Sequence, residues 1–146
     1  MGSRKVAWVQ GVLLLAVIAA IALALAVRLH RPFDRDTLAI QVAKLQSDAA
    51  EAQLLVDDAR ADRLAPGFVR QHALQMADKV DTTIDTLRKP ARPALAAQKA
   101  QAQRLGATLH AGLMLLGRDG QARTKAGFYA TADALDALHK TLKPAD

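Results

Sequence analysis

Apolar positions follow two rhythms along this chain. From Val6 to Val27 they are continuous: VAWVQGVLLLAVIAAIALALAV carries no charge, and Gln10 is its only strongly polar residue. As a helix this run is roughly 33 Å long, against about 30 Å for the hydrocarbon core of a bilayer. It predicts a single membrane-spanning signal-anchor helix over about 6–29 inside an anchor region 1–30. Beyond a short linker, 31–35, apolar residues recur every three or four positions, the spacing of a helix with one buried face.

Four such helices are predicted in 36–146. The first spans about 36–64, with Leu38, Val42, Leu45, Ala49, Ala52, Leu55, Ala59 and Ala61 on one face. Asp34 or Asp36 caps its start after the break at Pro32, and Pro66-Gly67 turns the chain after it. The second, about 68–89, has Val69, Ala73, Met76, Val80, Ile84 and Leu87 on one side and Asp78, Asp81, Asp85 and Arg88 on the other. Pro90 and Pro93 separate it from the third, about 94–116, which is polar at first and then runs uncharged from Leu105 to Gly117 if His110 is neutral. Such a stretch is too short to cross a bilayer and fits a buried helix end or a shallow membrane contact. A turn at Gly117–Gly120 leads to the fourth, about 121–143, with Phe128, Ala132, Leu135, Leu138 and Leu142 aligned. Short connections make neighbouring helices antiparallel. The expected fold is therefore all-α: an N-terminal transmembrane helix followed by an up-down-up-down four-helix bundle. Ala/Leu richness and an aromatic content of 3% agree with helix over sheet.

The anchor run exceeds the 7–15 apolar residues of a cleaved signal peptide, although Ala24-Leu25-Ala26 resembles a cleavage site. Arg4 and Lys5 before the run nearly balance Arg28, Arg31 and Arg35 after it. The short leading tail favours the inside, which places the bundle in the periplasm of a bacterial inner membrane. Ala16, Ala20 and Ala24 form a small-residue stripe that lets two copies pack closely. An anchor followed by a helical domain is the layout of several small bacterial envelope proteins, a likeness of outline alone.

Charge is uneven. From Asp36 to Asp85 nine acids stand against five bases; from Arg88 to Lys125 eight bases stand against Asp119 alone. Either the two halves face each other within the fold, or Lys99, Arg104, Arg118, Arg123 and Lys125 form an interaction surface for an anionic partner. These bases have no interleaved aromatics for stacking, so nucleic acid is not the expected partner. The expected partners are the lipid bilayer and a protein, including a second copy of the chain. The apolar end of the third helix, beside Arg118, Arg123 and Lys125, also suits contact with anionic head groups.

Chemistry finds few candidates. The chain has no cysteine, which removes disulfides, thiolate metal sites and cysteine nucleophiles. Ser3 and Ser47 are its only serines, and neither sits in a nucleophile motif; no phosphate-cradling glycine loop or HExxH is present. An enzyme is not expected. Glu51 is the single glutamate, too few for a di-iron bundle. His72, His110 and His139 with Met76 and Met114 are the types that ligate haem, but nothing in their spacing fixes a site, and no cofactor or metal is expected. The acidic rows Asp78, Asp81, Asp85 and Asp57, Asp58, Asp62 read as solvated faces, since calcium sites draw on loops and carbonyls. His110, with Met114 one turn on, is the candidate ligand-binding group, in a pocket between the second, third and fourth helices. The expected function is that of a membrane-anchored structural or protein-interaction bundle; the alternative is a tethered small-molecule-binding or sensory module.

Overall fold

The computed structural model describes residues 16–23, 34–120 and 125–143. The chain divides into two units, Met1–Pro32 and Phe33–Asp146. In the first, residues 16–23 are helical (α1) with every described side chain exposed. Ala16 and Ala20 fall on that segment; Ala24 and the remainder of the expected 6–29 helix lie outside the described residues. Among the described residues no helix is long and apolar enough to cross a membrane.

The second unit is built from α2 (Arg35–Arg60), α3 (Pro66–Leu87), a 3-10 turn (Pro93–Leu95), α4 (Ala96–Asp119) and α5 (Lys125–Leu142). No strand occurs among the described residues. Asp34 caps α2 from an extended conformation, its carboxylate accepting from the Thr37 N–H at 2.8 Å. That bond stabilises the charged form and holds the Asp34 carboxyl below its ordinary value. α2 ends one turn earlier than its apolar spacing predicts. Asp62 then takes a left-handed conformation, φ 53°, which Asp tolerates better than most residues. Pro66 does not close the preceding turn as expected but opens α3, at a position whose missing N–H costs no hydrogen bond.

A second correction falls at the end of α4. The expected turn at Gly117 is helix; the chain reverses at Gly120, φ 63°, whose N–H donates to the Leu116 carbonyl at 2.8 Å. A left-handed residue at this point costs glycine little and other residues more. α4 starts at Ala96 because Pro93 sets up a separate tight turn before it.

Each long helix packs against its neighbours in sequence, and α2 closes the ring against α5. Direction follows from the paired residues. Arg35 meets Leu142, Gln46 meets Asp136 and Asp57 meets Tyr129, so α2 and α5 are antiparallel. Glu51 meets His72, and Gln103 reaches Leu87, which gives the same sense to α2–α3 and α3–α4. The core holds the predicted faces: Leu38, Val42, Leu45, Ala49, Ala52 and Leu55 of α2; Val69, Ala73, Met76, Val80 and Leu87 of α3; Phe128, Leu135, Leu138 and Leu142 of α5. From α4 it takes Ala102, Leu109, Leu113 and Leu116. Ala61 is exposed beyond the end of α2, while Val56 and Ala77 are buried although they lie off the predicted rows.

Candidate functional site

The uncharged stretch of α4 resolves into two faces. Leu109, Leu113 and Leu116 point into the core, while Met114 is 44% and Leu115 50% exposed. A helix that is apolar on all sides buries only the part its neighbours cover, and the remainder stays at the surface. On that outer face His110, Ala111, Met114, Leu115 and Arg118 line an open cleft of about 750 Å³, whose far wall is Leu74 of α3. The volume is of the size that takes a small molecule or a few side chains.

Leu74 holds this position because α4 offers it a notch. A Cβ on Gly117 would lie 2.7 Å from Leu74 Cδ2 and 2.8 Å from its Cγ. The bare glycine lets Leu74 lie across α4 while 42% of its surface remains exposed. The wall is thus set by one contact between helices about forty residues apart, which no local pattern announces. The two polar lining groups are the half-buried His110 and Arg118. Arg118 is 79% exposed and lies 3.9 Å from Asp119, a long and solvent-screened pair. The cleft offers apolar contact, one imidazole and one cation.

His110 and Met114 therefore share one cleft, which lies between the second and third bundle helices; no described residue of α5 lines it. Of the five bases, the three with described side chains, Lys99, Arg104 and Arg118, are spread along α4. Lys99 and Arg118 are separated along α4 by roughly 28 Å at the helical rise, with Arg104 between them; Arg123 and the Lys125 side chain lie outside the described residues. Lys99 donates to the Lys89 carbonyl at 2.7 Å, and Arg104 to the Ala100 carbonyl at 3.3 Å. Two ion pairs of the acidic helices are local, Asp58 with Arg63 and Asp85 with Arg88.

Of the remaining candidates Met76, His72 and Asp57 have structural occupations, whereas His139 Nδ1 is buried without a hydrogen-bond partner among the described residues. Met76 is fully buried in the core. His72 Nε2 lies 2.9 Å from Glu51 Oε1, and its ring stacks on Phe68 with centroids 5.5 Å apart. Asp57 is not simply solvated, since its Oδ2 accepts from the Tyr129 hydroxyl at 2.6 Å. Asp78, Asp81 and Asp85 are exposed. Among the described residues no group of three or more His, Asp or Glu is placed to hold a metal ion. With the geometry in hand, comparison with family models, curated proteins and solved structures finds no match to this chain.

Proposed function

We propose that this protein is a single-pass, membrane-anchored helical bundle with a structural or protein-interaction role in the bacterial cell envelope, its bundle on the periplasmic side of the inner membrane. The anchor rests on the uncharged run Val6–Val27, long enough for one span. The interaction role rests on a single observation: the apolar strip Leu74, Met114, Leu115 stands open beside the cleft. The chain enters the bundle at Asp34, beside the start of α4, whereas Met114 lies about 27 Å further along that helix. The strip is therefore at the end of the bundle opposite Asp34. Confinement to two dimensions raises the effective concentration of a partner in the same membrane.

The test is cross-linking of the full chain in its own membrane, read by mass, beside Leu115→Asp. A discrete adduct that the charge abolishes supports the reading; a monomer in both forms overturns it. A compartment-sensitive reporter fused after Asp146 reads the orientation: periplasmic activity agrees, cytoplasmic activity reverses the topology.

One observation favours a second reading: His110 and Met114 line the same 750 Å³ cleft. A small apolar ligand held there raises the melting temperature, and the rise grows with the logarithm of ligand concentration above the Kd. His110→Leu separates the readings, because a histidine with no ligand tolerates the change while a ligand site loses the temperature shift.

A further inference from the structure

We propose that a second cleft, at the end where the chain enters the bundle, binds the phosphate of an anionic lipid head group. The inference rests on the anchor reading above. The cleft, about 380 Å³, lies between Arg35 of α2, Arg92 and Leu95 before α4, Gln98 of α4, and Thr141 and Leu142 of α5. Two guanidiniums thus line one small cavity. Arg35 is held rigidly: its Nε donates to the Leu142 carbonyl at 2.9 Å, and its Nη2 donates to the carbonyls of Thr141 at 2.8 Å and Lys143 at 3.0 Å. These bonds cap the C-terminus of α5 and leave Nη1 uncommitted. Arg92 makes no ion pair among the described residues. The nearest acid, Asp34, feels its charge but spends its carboxylate on the Thr37 N–H.

Gln98 supplies the second observation. Its Oε1 is buried and has no hydrogen-bond partner. A buried polar atom without a partner is costly. Turning the amide over exchanges acceptor for donor, and an anionic oxygen in the cleft then satisfies it. A fork-shaped guanidinium, a second guanidinium and an amide N–H are the donors that phosphate recognition employs.

The lipid source follows from the tether. Residues 28–33 are all that separates the apolar run from Asp34 in the sequence, and six residues cover at most about 20 Å when extended. Lys89 and Lys143 are exposed at the same end, and Arg28 and Arg31 precede it in sequence. Each basic residue near an anionic membrane surface adds attraction.

The chain's lack of cysteine makes a clean test. The full chain carrying Gln101→Cys, labelled with a fluorophore, is reconstituted into vesicles of phosphatidylcholine alone or with phosphatidylglycerol. Energy transfer to a head-group acceptor then reports docking. Transfer is expected to rise with phosphatidylglycerol. Arg92→Gln is expected to lower the docked-to-free ratio about fivefold, the equivalent of about 1 kcal/mol for one surface cation. Arg92→Lys should retain part of the effect, and Arg104→Gln, outside the cleft, most of it. Equal transfer in both lipids from a chain that floats with the vesicles overturns the proposal, as does an equal loss from Arg104→Gln. Inorganic phosphate at constant ionic strength should compete with docking; a cleft that binds inorganic phosphate while transfer is equal in both lipids belongs to the free ion and overturns the lipid assignment. A chain that does not float overturns the anchor reading instead.

Discussion

Two seams of the bundle solve the same packing problem by different means. Along α2–α5 the register is marked by polar links. Arg35, Gln46 and Asp57 are spaced eleven residues apart, three turns that return to nearly the same face, and each reaches α5. Along α3–α4 the register is marked by missing side chains. Ile84 lies 3.0 Å from where a Gly106 Cβ would stand, and Leu74 crosses α4 at Gly117. Hydrogen bonds name their partners through geometry, whereas glycine notches name theirs only through shape. The second seam accordingly brings its helices close and leaves an open apolar cleft at its edge. The open apolar cleft lies at the end of this seam away from its Gln103–Leu87 hydrogen bond.

Leu45→Ala breaks both seams at once. Leu45 is fully buried and also faces Gly106. Its truncation should cost 2–5 kcal/mol, within about the usual range for a buried leucine, as read by urea unfolding. Arg35→Ala strikes the polar seam alone. Loss of three bonds to the α5 carbonyls should cost about 1–2 kcal/mol, because solvent partly replaces them. The same change should raise hydrogen exchange in the last turn of α5 first.

Gly117→Ala probes the notched seam. The methyl must displace Leu74, an overpacking cost of about 1–3 kcal/mol, against about 1 kcal/mol gained in helix propensity. The net is expected to be destabilising by about 1 kcal/mol. In a Leu74→Ala background the same change should become stabilising, since only the propensity gain remains. A gain in both backgrounds would mean that Leu74 does not need the notch.

Asp48 gives the smallest effect. Partial burial on α2 pushes its carboxyl above the ordinary value, while Lys79 and Lys44 oppose the shift. A folded pKa above the unfolded one means that Asp48 favours folding most below its unfolded pKa. That contribution is lost as pH rises through the folded value. Asp48→Asn should therefore stabilise at neutral pH, by less than about 1 kcal/mol given solvent screening, and lose the advantage in acid. Asp34 behaves oppositely. Its lowered value means a contribution present above the unfolded pKa and lost as pH falls through the folded one.

Much of the bundle was legible because its core faces are periodic. Val69, Ala73, Met76, Val80 and Leu87 can be picked out by spacing alone, and so can the row from Phe128 to Leu142. Proline and glycine misled at the ends. Pro66 and Gly117 resemble turn residues locally, yet one opens a helix and the other receives a leucine from the preceding helix. The site was half legible. His110 and Met114 share a helical face and an uncharged setting, but Leu74 enters from another helix and closes the cleft only through Gly117. The charge asymmetry does not announce the local pairs Asp58–Arg63 and Asp85–Arg88, which lie within one helix or the turn beside it. Arg35 carries no sequence signal for capping a helix more than a hundred residues away.

The account turns on the chain being held in a bilayer by its leading apolar run. Extraction of isolated membranes at alkaline pH, with the intact mass measured in each fraction, tests this most directly. The account predicts the full-length chain in the pellet, and its release into the supernatant when Leu14 and Ala19 are both changed to Arg. Unmodified full-length chain in the supernatant, or a product cut after Ala26, would contradict it.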